Sequence, residues 1–187
     1  MKEVKDALKI LIQGESDAVD HYFMFSEQAT KEGYNNIALL FKALAMAEKI
    51  HIKNHLNALG EEFEIKKNIN TSVLSTKENI DLALNGEKVE SRKLYPKLIK
   101  SIRKYNKSEY GKVAKLSMTW AKLAEKEHAK LLKIAYASLS KSQDMVFETL
   151  SVCNVCGNVV IDQKKDEECK ICGHDSIFFE TVTKDIL

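Results

Sequence analysis

Four long stretches of the chain place apolar residues three to four positions apart, the spacing of a helix with one face turned to a core. The first carries Leu8, Leu11, Ile12, Ala18, Val19 and Tyr22, and the second Ile37, Phe41, Leu44, Ile52 and Leu59. The third carries Ile80, Ala83, Leu84, Leu94 and Leu98, and the fourth Ala114, Met118, Ala121 and Leu132. The pattern predicts helices over roughly 2–32, 35–59, 75–105 and 109–140. Gly33 and Gly60 fall where left-handed C-caps would close the first two, and Ser75-Thr76-Lys77-Glu78 has the capping-box form that opens the third. Asn106-Lys107-Ser108 separates the third from the fourth. Both turns within the pairs are short, so helices 1/2 and 3/4 are expected to be antiparallel, with 61–74 as the longer connection between pairs. That loop pattern predicts an all-α four-helix bundle with one long crossover. Ser138, Ser140 and Ser142 then mark a linker, Val146 to Val152 reads as a strand, and all four cysteines follow. The expected organisation is a bundle over 1–143 and a small β-rich module over 144–187.

Each apolar stripe is broken by acid. Glu15 interrupts the first, Glu48 and His51 the second, Glu87 and Glu90 the third, and Glu125 and His128 the fourth. One glutamate on an apolar face is commonly a boundary residue whose head reaches water. Four at mid-helix depth, in four different helices, call for a common cause, because an isolated buried carboxylate costs many kcal/mol unless it is neutralised, paired or metal-bound. No Lys or Arg interrupts the stripes, so metal is the better account. Glu48-x-x-His51 and Glu125-x-x-His128 each set a carboxylate and an imidazole one turn apart on one face. Pairing them with Glu15 and Glu87 gives a two-fold repeat, the ligand pattern of ferritin-like di-iron or di-manganese bundles. Four glutamates balance two divalent ions with both imidazoles neutral. Glu90 is then a fifth carboxylate that suits a more oxidised pair, as neutral His51 suits a reduced one, and the two are expected to exchange on one iron.

Cys153-Asn154-Val155-Cys156-Gly157 and Cys169-Lys170-Ile171-Cys172-Gly173 are two C-x-x-C-G units with twelve residues between them. Paired units of this kind predict a tetrathiolate metal site, with each glycine admitting the turn that aims backbone N–H groups at the sulfurs. Iron and zinc both accept four thiolates. Disulfides are disfavoured because nothing in the chain indicates secretion. A module this small has little core, so metal binding is expected to supply much of its folding energy.

Composition excludes more than it identifies. The 187 residues are 44% apolar and 30% charged, enough for a packed core and against long disorder. With 29 Lys+Arg against 27 Asp+Glu, the net charge of +2 gives no reason to expect nucleic acid as a partner. No apolar run is long enough for a membrane span, and the N-terminus does not read as a signal peptide, so a cytoplasmic location is expected. No G-x-G-x-x-G nucleotide fingerprint is present.

Gly14-Glu15-Ser16, Lys31-Glu32-Gly33-Tyr34, Glu48-x-x-His51, Gly86-Glu87-x-x-Glu90, Tyr95-Pro96, Glu125-x-x-His128 and the two cysteine units, in this order, resemble rubrerythrin. The resemblance implies a ferritin-like di-iron bundle followed by a rubredoxin-like domain. It implies that Glu48 and Glu125 bridge two non-haem irons, with Glu15 and either His51 or Glu90 on one, and Glu87 and His128 on the other. One further iron would lie on Cys153, Cys156, Cys169 and Cys172, where zinc is the alternative. Tyr22 and Tyr95 match tyrosines beside the site, whereas His21 and His55 match no ligand position and read as structural. Lys170 and Asn158 stand where the family commonly has proline and an aromatic residue. The activity implied is a peroxidase that reduces hydrogen peroxide, supplied with electrons by an NAD(P)H-dependent reductase or a rubredoxin. A homodimer is implied as well, the small domain of one subunit serving the bundle of the other. A ferritin-type ferroxidase or iron store, and a zinc-ribbon interaction module, are the rival readings.

Overall fold

In the computed structural model, residues 1–67, 72–164 and 166–183 are described; part of the 61–74 connection, 68–71, lies outside them. α1 (Lys2–Lys31) and α2 (Asn35–Leu59) form the first antiparallel pair. The second pair sets α3 (Thr76–Val89) and α4 (Tyr95–Ser101) against α5 (Glu109–Leu139). Gly60 closes α2 in the left-handed region at φ 66°, and Ser75 and Glu78 make the reciprocal bonds of a capping box. Among the described residues, no helix is long and apolar enough to cross a membrane.

The third helix is not continuous as the periodicity predicts. Glu90–Leu94 form a widened π turn, in which the Tyr95 N–H reaches back five residues to the Glu90 carbonyl. Pro96 explains the break: it has no N–H to offer Arg92, and its ring would collide with that carbonyl in a regular helix. A short 3₁₀ turn, Arg103–Tyr105, then ends the segment.

Two helix starts are capped from a distance. Both Asp144 carboxylate oxygens accept from α2, at the N–H groups of Asn36 (2.8 Å) and Ile37 (3.1 Å). Glu32 accepts from the Thr76 N–H at the start of α3. These bonds satisfy orphan donors and tie the crossover and the tail to the first helix pair.

The module is a three-stranded antiparallel sheet of order β2-β1-β3, with β1 Leu150–Cys153, β2 Val159–Ile161 and β3 Phe179–Thr181. Its first strand starts later than predicted: Val146 is 92% exposed and lies outside the ladder, which Leu150 opens. Ser151 lies opposite Val160 on one side and Thr181 on the other.

The bundle interior is divided in two. Leu8, Leu11, Ile12, Leu59, Tyr95, Ile102 and Met118 belong to one apolar cluster. Phe25, Ile37, Phe41, Leu44, Ile80 and Leu132 belong to another, which continues through Met145 into Leu150, Val152, Val159 and Val182 of the sheet. The acidic side chains occupy the layer between these clusters, and the module shares the core of the second.

Candidate metal centre

Glu15, Glu48, Glu87, Glu125, His51 and His128 are each no more than 1% exposed. Their side chains meet in two overlapping groups whose ligand atoms lie within 4.8 Å of one another: Glu15, Glu48, His51 and Glu125, and Glu48, Glu87, Glu125 and His128. Glu48 and Glu125 are common to both, as the bridging role requires.

Hydrogen bonding shows what the layer lacks. Glu15 Oε2, Glu48 Oε1, Glu87 Oε2 and Glu125 Oε1 are buried with no hydrogen-bond partner among the described residues. Each would carry a large desolvation penalty if left bare. The histidines point the same way. His51 Nε2 lies 3.1 Å from the Cys156 carbonyl and His128 Nε2 lies 2.9 Å from the Gly157 carbonyl. A carbonyl only accepts, so Nε2 carries the proton in each ring, and a neutral ring presents its Nδ1 lone pair to the acids. Burial, then the neighbouring His128, hold His51 well below the ordinary imidazole range, so it is neutral. Yet His51 Nδ1 is 2.7 Å from Glu48 Oε2 and His128 Nδ1 is 2.9 Å from Glu125 Oε2. Two lone pairs so close need a cation between them, a proton or a metal ion.

Without metal the acids must hold protons. Burial, then the charges of their neighbours, raise Glu48 and Glu125 well above the usual carboxylate range. Burial pushes Glu15 up to about 7. Glu87 alone goes the other way: burial would raise it, but His128, Glu125 and Tyr22 together hold it low. Two Glu-His pairs with bare oxygens and correctly tautomerised rings fit a pair of divalent ions, one in each group.

The tyrosines are partners of the terminal acids. Tyr22 donates to Glu87 Oε1 at 2.5 Å, and Tyr95 donates to Glu15 Oε1. Burial, then those same acids, raise both phenols well above their ordinary value, so they remain donors. His55 belongs to this network and not merely to the core. Its Nε2 is 3.0 Å from the Tyr95 hydroxyl and its Nδ1 is 2.6 Å from Ser117 Oγ. Because Tyr95 donates to Glu15, it accepts from His55, and Ser117 donates to the other ring nitrogen. Burial takes His55 down to about 3, so the relay is neutral. Its sequence signal was its place one turn beyond His51, on the same face.

Glu90 stands apart. It opens the π turn, is half-buried, and belongs to neither group. It lines a cleft of about 520 Å³ between α1 and α3 that also reaches Glu87 and Tyr22. In this structure His51 lies within a ligand group and Glu90 outside both.

The four cysteines converge without disulfides. Cys153 and Cys172 sulfurs are 3.7 Å apart, and Cys156 and Cys169 sulfurs 3.5 Å. A tetrahedron with metal–sulfur bonds of about 2.3 Å has edges of about 3.8 Å, so the spacing suits one tetrathiolate ion. The nearby sulfurs of Cys153 and Cys169, then burial, raise the Cys156 thiol, a crowding that a cation relieves. Backbone N–H groups of Val155 and Cys156 serve Cys153, and those of Cys172 and Ile171 serve Cys169. A further donor comes from a side chain: buried Asn158 directs its Nδ2 to Cys169 Sγ at 3.7 Å.

The first cysteine turn is pressed against the acidic layer. Gly157 has φ +78°, and a Cβ there would stand 2.5 Å from His51 Nε2, so glycine is required on both counts. Asn54 of α2 also donates to the Val155 carbonyl at 2.8 Å. The module thus seats on the bundle of its own chain. The apolar cluster shared through Met145 and Leu150 holds it there.

A four-helix bundle with a twinned carboxylate–histidine centre and an appended tetrathiolate module is a ferritin-like di-iron protein with its own rubredoxin-like site. The rubrerythrin family profile matches residues 6–136. The chain belongs to the rubrerythrin family. Rubrerythrin-2 of Clostridium acetobutylicum is 34% identical over 171 residues, covering 90% of each chain. Nigerythrin of Nitratidesulfovibrio vulgaris is 34% identical over 169 residues, 88% of this chain and 79% of that one. A solved structure of fully reduced, all-ferrous nigerythrin matches with a TM-score of 0.85 at 30% identity, covering 95% of this chain and 86% of that one. Other nigerythrin structures are mixed-valent or partially reduced, so the iron of that protein changes oxidation state. Homologues in this family are oxidoreductases implicated in defence against oxidative stress, and the cofactors here are a di-iron pair and a rubredoxin-like four-cysteine site.

Proposed function

We propose that the chain reduces hydrogen peroxide to water at the bundle centre. Electrons would reach that centre from the four-cysteine iron, itself reloaded by an NAD(P)H-dependent reductase or a rubredoxin. One observation carries this reading: the carbonyls of Cys156 and Gly157 accept hydrogen bonds from the outer nitrogens of His51 and His128. A one-electron centre built onto the ligands of a two-electron centre serves turnover. An iron store of ferritin type has no use for it.

In this reading Glu48 and Glu125 would be shared by two irons, Glu15 and His51 would serve one, Glu87 and His128 the other, and Cys153, Cys156, Cys169 and Cys172 would hold a third. When bound, the iron pair supplies two electrons and a Lewis-acid clamp for the two peroxide oxygens. The remaining work falls to the chain. Tyr22 and Tyr95 fix the outer oxygens of Glu87 and Glu15, and the Ser117–His55 relay keeps the Tyr95 proton directed at Glu15. The apolar clusters on either side keep water out of the layer, so that peroxide arrives by the cleft at Glu90. Glu90, beside the layer on the cleft side, would offer an oxidised pair a fifth carboxylate in place of His51. The working form is a cytoplasmic homodimer.

The test is anaerobic loading with ferrous iron, metal analysis, and stopped-flow mixing with hydrogen peroxide. The expected result is three irons per chain and rapid return of the ferric thiolate absorption after one equivalent of peroxide. A mineral core that grows with added iron, without catalytic peroxide loss, would overturn the reading in favour of a ferroxidase.

A further inference from the structure

We propose that the bundle centre accepts organic hydroperoxides bearing a compact apolar group as well as hydrogen peroxide; the proposal rests on the peroxidase reading above. The cleft over Glu87, Glu90 and Tyr22 carries the argument. One glycine from each flanking helix lines it, Gly14 from α1 and Gly86 from α3. Both lie inside helices and neither has a left-handed backbone. Glycine in such a position costs about 1 kcal/mol relative to alanine. A Cβ at either would meet nothing within 4 Å, so no neighbour demands its absence. What the two glycines preserve is the open space itself.

The space exceeds what hydrogen peroxide needs. Two oxygens occupy roughly twice the 30 Å³ share of a water molecule, whereas the cleft measures about 520 Å³. That falls in the range of roughly 300–1,000 Å³ that holds small organic ligands. One wall is suited to carbon, formed by Ala18, Phe25, Leu82 and Ala83, with Leu82 50% exposed, while Asp17, His21 and Ser72 line the rest of the mouth. Such a wall offers hydrogen peroxide no hydrogen bond, but it takes an alkyl or aryl substituent out of water while the peroxide end reaches the acids. The reaction balances as ROOH + 2 e⁻ + 2 H⁺ → ROH + H₂O. The O–O bond breaks, the outer oxygen leaves as water, and the carbon-bound oxygen takes a proton and leaves as the alcohol. The electrons come from the reduced irons, reloaded by the external reductant as for hydrogen peroxide.

The experiment compares turnover of hydrogen peroxide and cumene hydroperoxide by the iron-loaded protein and by Gly86→Leu, which fills the cleft with a residue of high helix propensity. Ligand-observed NMR with 2-phenyl-2-propanol, the alcohol product, gives a readout independent of turnover. The wild type is expected to reduce cumene hydroperoxide within about tenfold of its hydrogen peroxide rate. In Gly86→Leu the ratio of the two rates should fall at least about tenfold, with loss of alcohol binding. A wild type that reduces hydrogen peroxide but leaves cumene hydroperoxide untouched would overturn the proposal and spare the peroxidase reading, and so would an unchanged ratio in the variant. Failure with both peroxides would overturn the two together.

Discussion

The two metal centres hold their donors in opposite ways. The bundle centre collects side chains from α1, α2, α3 and α5, between Glu15 and His128, and leaves four carboxylate oxygens without partners. A spare acid, Glu90, waits on a widened turn beside an open cleft. The cysteine centre collects its donors between Cys153 and Cys172, and backbone N–H groups and Asn158 already serve its sulfurs. The first arrangement has room to change ligands and admit a substrate. The second is closed by its own backbone and changes only its charge. In the proposed reaction, chemistry falls to the loosely satisfied centre and electron storage to the one whose geometry is fixed.

Removing a shared ligand breaks the contrast most severely. Glu125→Ala takes a carboxylate from both ion groups, so bundle iron should be lost and peroxide reduction should drop roughly 100-fold or more, while the thiolate–iron absorption survives. Glu125→Met, which deletes the buried acid at similar volume, should leave the iron-free protein as stable or more stable, by up to about 4 kcal/mol. Iron content and urea denaturation check both halves. An iron-free variant less stable than the iron-free wild type would mean that the acid is there for packing.

A smaller effect comes from pH. In the iron-free chain Glu15 is raised from 4.5 to about 7, and burial raises Glu48 and Glu125 well above 4.5 too, so the folded state binds protons that the unfolded state has released. His51 and His55 are lowered and act with the opposite sign, but only below about 6.5, where the unfolded imidazoles take up protons. Above that value the carboxylates act alone in the bundle, and zinc on the four-cysteine site takes Cys169, whose thiol Cys153 and Cys156 hold low, out of the balance. Stability of the iron-free chain should therefore fall between about pH 6.5 and 8, by on the order of 1 kcal/mol per pH unit for each acid still protonated in the fold. The iron-loaded chain should show no such fall, and denaturation at the two pH values checks the difference.

The smallest effect sharpens the other side. An N–H donor to a ligating sulfur favours the more negative, reduced state of the centre. Asn158→Leu removes one such donor and should lower the potential of the four-cysteine iron by about 1 kcal/mol, or roughly 40 mV for one electron. A redox titration followed at the thiolate absorption reads it. An unchanged potential would show that the amide serves packing alone.

The same contrast governs what could be read before folding. The cysteine site was legible because its donors are close in sequence and their spacing is the motif. The acidic layer was legible by another route: Glu15, Glu48, Glu87 and Glu125 violate an otherwise regular apolar period, and two of them repeat with a histidine one turn on. What escaped depends on contacts between distant elements. Gly157 against His51 and Asn158 against Cys169 have no local pattern, and the place of His55 one turn beyond His51 does not reveal its partners Tyr95 and Ser117. The displacement of Glu90 had a local cause in Pro96, but the spacing of an unbroken helix concealed it. The late start of β1 escaped because Val146 and Phe147 continue an apolar run that the ladder does not use.

Gly157 lies 29 residues beyond His128, yet its carbonyl and its missing side chain decide how two bundle histidines stand. The tail is consequently no detachable cartridge. A foreign rubredoxin spliced on at the serine linker would need a bare corner in that one place and two outward carbonyls to match. Lacking them, it could carry an iron of its own and still leave the neighbouring centre misaligned.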